Sequence, residues 1–288
     1  MKILFVTSSG IGNTIQTIPA YLSLKEIAEI TVVYEKVYPT DSVRHCDIFP
    51  ADVEEVDAIK LNSVREQYDF VYKPWHLSKN GYYVKEATDA LREGDSEVQR
   101  NMKAIECLGA SQEIQRKWEM EGFAPVGDYI TVHNGANPDP AWYRKKYPLF
   151  PRLIEMLRED HRIVCVGSED EYMKGCINKT GIPLKETTHI INDSQLHICT
   201  DTSTMHIAGL TETPCVAIFT CTSQSKNLDA EFHKTVTPVS RDISCSPCQA
   251  CFHWSPRSSN CVQGRAFFPC QNIDPEVIYN EIQDKLSK

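Results

Sequence analysis

Ile198-Cys-Thr-Asp-Thr-Ser-Thr-Met-His-Ile-Ala208, followed by Thr213-Pro-Cys-Val-Ala-Ile-Phe219, reads as a small polar turn that opens a helix between two strands. A helix N-terminus carries unpaired backbone N–H groups and the positive end of the helix dipole. Asp201, Thr202 and Ser203 are therefore placed to hold a phosphate, with His206 one turn further in. Asp, Thr and Ser are also ordinary helix caps, so the turn taken alone leaves both readings open.

Outward from this turn, strands and helices alternate along the whole chain. In the first half, residues 2–7, 30–34, 56–61 and 69–73 read as strands and 14–26 and 97–108 as helices, the last closed by Gly109. A polar stretch at 122–128, with Pro125 and Gly127, reads as a linker. The pattern then restarts. Residues 129–133, 162–166 and 215–219 read as strands, with 190–191 and 196–199 as short apolar ones, and 150–158, 171–179 and 205–210 read as helices. Residues 274–286 form a closing helix with Asp274 as cap and Pro275 in the first turn. This implies an α/β protein of two Rossmann-like domains with parallel sheets facing a central cleft. The domains are expected at 1–125 and 126–272, with 273–288 as a C-terminal helix. Ligands of such sheets bind beyond the carboxyl ends of the strands, at loops 8–13, 73–80, 133–146 and 200–204.

Composition narrows the class. The chain has 288 residues, 41% of them hydrophobic, and a net charge of −9, which disfavours a surface gripping nucleic acid through many phosphates. The start, Met1-Lys-Ile-Leu-Phe-Val-Thr7, is apolar for too short a run to be an export signal, and no run approaches a membrane span. The expectation is a cytoplasmic protein with at most peripheral membrane contact.

Two further loops share the logic of the first. Ser8-Ser-Gly-Ile-Gly-Asn13 is a glycine-containing strand-to-helix turn that departs from the dinucleotide fingerprint, since residue 15 is Ile. His133-Asn-Gly-Ala136 again leads a strand into a small-residue loop, and Arg144-Lys-Lys146 follows, three cations able to neutralise a pyrophosphate or simply to face solvent.

In these motifs the sequence resembles glycosyltransferase family 9, the heptosyltransferases. Gly10-Ile-Gly-Asn-Thr-Ile-Gln-Thr-Ile-Pro-Ala20 is similar to the family's Gly-hydrophobic-Gly-Asp turn and Thr-x-Pro-Ala helix, except at Asn13. His133-Asn-Gly-Ala136 with Lys145-Lys-Tyr-Pro148 is similar to its His-x-Gly-Ala loop and Lys-x-Trp-Pro element. Asp201-Thr-Ser-Thr-Met-His-Ile-Ala208 follows its Asp-Thr/Ser-Gly-x-Met-His-Leu-Ala turn, with Ser203 for the Gly. The resemblance implies a GT-B fold and transfer of a heptose or related sugar from an ADP-sugar or similar donor to an acceptor hydroxyl, with inversion. It also implies a glycan or lipopolysaccharide-type acceptor. Gly12, Asn134, Gly135, Lys145, Asp201, Thr202, Ser203 and His206 are the expected nucleotide-sugar-binding residues. No Asp-x-Asp occurs in the chain, so no cofactor is expected for catalysis.

Asn13 stands where the family usually has the Asp taken as general base, and a neutral amide cannot accept the acceptor's proton usefully. His76, just past the strand at 69–73, is the substitute candidate. The alternatives are the same fold acting on a protein or modified nucleic-acid acceptor, or a catalytically impaired nucleotide-sugar-binding protein. Finally, Cys245, Cys248, Cys251, Cys261 and Cys270 crowd into a loop at 245–270. Two Cys-x2-Cys spacings suit a structural zinc or iron, while reduced thiols or local disulfides read the same residues equally.

Overall fold

The computed structural model describes residues 1–8, 10–35, 42–74, 95–116, 127–136, 140–248, 261 and 268–287. The chain divides into two compact units, Met1–Glu119 with Leu228–Phe232, and Met120–Asn227 with His233–Lys288.

The first unit holds a four-stranded parallel sheet of β1 (Lys2–Ser8), β2 (Glu29–Glu35), β3 (Val53–Val56) and β4 (Phe70–Tyr72), in the order β3-β2-β1-β4. Strand β1 is central, so its side chains are covered on both faces, and Ile3, Leu4, Phe5 and Val6 are fully buried. Phe5 stacks on Tyr72 with ring centroids 4.2 Å apart and meets Tyr21 edge-on at 5.7 Å. The expected single helix over 14–26 is two, α1 (Ile11–Ile15) and α2 (Ile18–Lys25). Pro19 explains the break: it has no N–H to donate, and its ring clashes with the carbonyl of a preceding turn, so it fits only where a helix begins. The expected strand over 56–61 is the last residue of β3 followed by α3 (Ala58–Val64), which Asp57 caps by accepting from the Lys60 N–H at 2.7 Å. Helix α4 (Glu97–Glu106) opens with a capping box in which Ser96 and Gln99 bond each other's backbone N–H.

The second unit holds a six-stranded parallel sheet. Its strands are β5 (Gly127–His133), β6 (Ile163–Gly167), β7 (Ile177–Thr180), β8 (Ser194–Thr200), β9 (Cys215–Phe219) and β10 (Val236–Ser240), in the order β10-β9-β8-β5-β6-β7. Numbered within the unit, that is the Rossmann order 3-2-1-4-5-6. Helices α5 (Phe150–Leu157), α6 (Leu184–Asn192), α7 (Ser203–Thr211) and α9 (Pro275–Leu286) accompany it, with the short α8 (Gln224–Asn227) after β9. Helix α9 starts at Asp274, whose carboxylate accepts from the Glu276 N–H at 3.1 Å, and it buries Ile278 and Ile282 in the core with Leu153, Ile154 and Leu157 of α5.

Two expectations fail here. Residues 171–179 are not a helix: Gly175 takes φ +97°, and 177–180 add β7 to the sheet edge beside β6. Residues 190–191 are not a strand but the last full turn of α6, where Thr187, Thr188 and Ile191 share the buried face at helical spacing. Strand β10 carries no clear sequence signal, its Pro238 being compatible with an edge position.

Candidate active site: the carboxyl ends of β5, β6 and β8

In a parallel sheet of this order, the chain leaves β5 and β8 toward opposite faces, which opens a crevice beyond their carboxyl ends. That point carries His133–Ala136 and Asp201–Ser203, the loops singled out from sequence. Strands β5 and β8 are direct neighbours there, with His133 paired in register to Cys199.

Thr202 is the N-cap residue of α7, with extended backbone (φ −141°, ψ 180°), yet its side chain does not cap the helix. The Thr202 hydroxyl instead donates to the Thr200 carbonyl at 3.2 Å and lies 3.1 Å from His133 Nδ1. The first N–H groups of α7 are thus left without the usual side-chain oxygen, at the positive end of a nine-residue helix. Ser203 is the first helical residue, and Thr204 places its hydroxyl 3.0 Å from His133 Nδ1.

Asp201 is buried beneath this turn. Lys145 Nζ lies 3.1 Å from its Oδ2, and Asn227 Nδ2 donates to the same oxygen at 2.9 Å. Burial alone would raise an aspartate's pKa; the Lys145 ammonium, with His206 nearby, outweighs it and holds Asp201 below the usual range. The carboxylate in turn fixes Lys145, whose side chain remains 16% exposed and lies 5.3 Å from the centre of the Trp142 ring. Of the three consecutive cations, Lys145 pairs with Asp201, Arg144 is buried, and Lys146 lies 5.3 Å from the centre of the Tyr143 ring. His206 is buried too, its Nδ1 2.9 Å from His233 Nε2.

Asn134 has a structural task. Its side-chain amide donates to the Tyr147 carbonyl at 3.0 Å and accepts from the Tyr147 N–H at 2.8 Å, tying the backbone just after the Pro140–Lys145 turn to the end of β5. The Gly135 carbonyl accepts from Thr200 Oγ1 at 3.2 Å, and a Cβ at Gly135 would lie 2.1 Å from His133 Nε2.

A residue missed in the sequence joins these loops. Glu171, after β6, has Oε2 3.0 Å from His133 Nε2, and it accepts from the N–H groups of Ser168 (2.8 Å, on Oε2) and Ala136 (3.2 Å, on Oε1). Burial would push its carboxyl up, but the hydrogen bond and charge of His133 and the two backbone donors bring it down to about 2. The signal was Ser168-x-x-Glu171, the spacing of a capping box, which this turn does form.

In the cysteine-rich region, Cys248 and Cys270 pack with Cys221 in a buried cluster flanked by Ile243 and Phe268. Cys221 lies two residues past the end of β9. Burial pushes its thiol up to about 11 and that of Cys270 to about 12. Cys245 and Cys261 are described and unpaired by disulfides, and Cys251 lies outside the described residues. Among the described residues no three His, Cys, Asp or Glu side chains are arranged to hold a metal.

In the first unit, Gly12 and Asn13 lie half-buried in α1, directly after the turn that follows β1. His76 lies outside the described residues. Just before it, Lys73 is buried and paired with Glu35 at 2.6 Å, a pair that joins the carboxyl ends of β4 and β2 and that the sequence reading did not select.

An uncapped helix N-terminus and a fixed lysine meet at a Rossmann switch point, an arrangement suited to an anionic group such as a phosphate. Residues 135–253 match the model of glycosyltransferase family 9 (heptosyltransferase), which places the expected family resemblance on this segment. The whole chain is similar in fold to the ADP-heptose lipopolysaccharide heptosyltransferase II of E. coli. That match has 14% identity and a TM-score of 0.67, covering 100% of this chain and 99% of the other. It is similar also to a glycosyl transferase family 9 structure from Veillonella parvula (14% identity, TM-score 0.62, 99% and 97% covered). A third is the iron-containing dodecameric glycosyltransferase TibC of enterotoxigenic E. coli (14% identity, TM-score 0.64, 99% and 76% covered). These likenesses make the fold GT-B. No curated protein sequence matches the chain.

Proposed function

We propose that the protein transfers a heptose or related sugar from a nucleotide diphosphate donor, an ADP-sugar first among them, to an acceptor hydroxyl with inversion and without a metal bridging the diphosphate. The observation that carries this reading is the open N-terminus of α7 beside Lys145. As the sugar departs, negative charge grows on the diphosphate, and the backbone N–H groups at Thr202 and Ser203 together with the Lys145 ammonium would stabilise it. These donors are already fixed in place, so they need not reorganise as the charge develops. The donor nucleotide is supported by the names of similar structures, which include an ADP-heptose enzyme and a heptosyltransferase bound to ADP. A glycan or lipopolysaccharide-type acceptor has the same kind of support, and a cytoplasmic setting belongs to this reading as an expectation.

The acidic balance favours a glycan or protein hydroxyl over a modified nucleic-acid base as acceptor. A structural zinc or iron held by Cys245, Cys248, Cys251, Cys261 and Cys270 is a separate proposal, supported by the two Cys-x2-Cys spacings and by the iron-containing relative. About one metal per chain in protein purified without chelator is its expected outcome, and none would refute it. It takes no part in the transfer.

One observation favours a second reading. Asn13 cannot act as the base, which suits a protein that binds a nucleotide sugar without transferring it. Turnover separates the two: a transferase releases nucleoside diphosphate when donor and acceptor are both present, whereas a binder is stabilised by the donor and releases none.

A further inference from the structure

The geometry points to Glu171 as a positioning residue that, through His133, keeps the N-terminus of α7 uncapped for the donor diphosphate. This rests on the donor reading above. Three loops meet in the arrangement. Glu171 stands after β6, His133 ends β5, and Thr202 and Thr204 open α7. A carboxylate only accepts hydrogen bonds, so His133 Nε2 carries a proton and donates it to Glu171 Oε2. That bond fixes the plane of the ring and turns Nδ1 toward the hydroxyls of Thr202 and Thr204, at 3.1 and 3.0 Å.

The consequence lies at Thr202. Threonine at an N-cap ordinarily accepts from the N–H one or two residues into its helix, which would occupy the donors that an anion needs. Here the Thr202 hydroxyl is engaged by His133 Nδ1, Thr204 Oγ1 and the Thr200 carbonyl, and it makes no such cap. Glu171 is itself held on several sides. It takes the N–H groups of Ser168 and Ala136, and Gly135 and Gly167 pack so closely that a Cβ at either would lie 2.1 to 2.8 Å from atoms of His133 or Glu171. Two glycines are needed because the pair fills the space their side chains would take.

Without the carboxylate the ring is released, the Thr202 hydroxyl turns to cap α7, and the diphosphate must compete with it. The test measures ADP binding by calorimetry on wild-type protein, Glu171→Gln and the double variant Glu171→Gln/Thr202→Val. The expected result is that E171Q binds ADP about tenfold more weakly, because the diphosphate must displace the cap that the Thr202 hydroxyl then makes. Thr202→Val then recovers part of that loss, because no hydroxyl is left to cap the helix. Equal affinity of E171Q and wild type, or a double variant no tighter than E171Q, overturns the inference. A second measurement needs neither a nucleotide nor a stable variant. In ¹⁵N spectra of the wild type, His133 is expected to carry its proton on Nε2; a neutral ring protonated on Nδ1 alone overturns the inference. If wild-type protein binds none of ADP, GDP, UDP and CDP, the donor reading fails, while the ring spectrum still decides whether Glu171 holds His133.

Discussion

At the scale of single residues, charge in this protein is placed where a neighbour compensates it. Asp201 is buried with Lys145, and Glu171 with His133. Glu171 gives the more readily measured consequence. Its carboxyl titrates near 4.5 when exposed and near 2 in the fold, so the folded state favours the carboxylate. A depressed pKa contributes stability that is fully present above about pH 4.5 and is lost as pH falls toward 2. Chemical denaturation between pH 6 and 3 is therefore expected to show wild type losing more stability on acidification than Glu171→Gln; parallel curves would contradict the assignment. The turn of Asp201, Thr202 and Ser203 between β8 and α7 was legible in the sequence because a strand, a polar turn and a helix stand in plain order. Glu171 was not, because its capping-box spacing lies in a stretch read as a helix, and its partner His133 is thirty-eight residues away.

At the scale of elements, local pattern served well where a segment is buried and poorly at edges. Strands β1, β5 and β9 are apolar runs bounded by turn residues, and each was found. Strand β7 is short and mostly exposed, and β10 lies at the sheet edge, so neither needs an apolar signature. The break between α1 and α2 was legible at Pro19 but competed with a continuous helical periodicity. The loops at the strand ends depend on backbone as much as on side chains. A methyl group at Gly135 would collide with His133 Nε2 and with Glu171, so the loop must shift to admit it. Gly135→Ala is expected to weaken nucleotide binding at least as much as Glu171→Gln does, while far-ultraviolet circular dichroism stays that of the wild type. An unchanged affinity would show that the loop yields without cost.

At the scale of the molecule, the alternation of strand and helix on both sides of the stretch 122–128 announced two parallel-sheet units, and both sheets are parallel. Strand order itself is not written in a single sequence, since it depends on which way each crossover turns. The placement of β5 beside β8, and with it the switch point, emerged only in the fold. The short return of Leu228–Phe232 to the first unit was equally hidden. Asp229 anchors it there by accepting from Ser96 Oγ at 2.9 Å, a contact across 133 residues of sequence. The central claim concerns the second unit, where the N-terminus of α7 and Lys145 are proposed to bind a diphosphate. The direct test is the thermal stability of the protein with ADP-, GDP-, UDP- and CMP-sugars, read beside Lys145→Met. One diphosphate sugar is expected to stabilise the wild type, by about 2.7 kcal/mol at a hundredfold excess over its Kd, and Lys145→Met much less. Stabilisation by none of them, or equal stabilisation of the Lys145→Met protein, would contradict the account.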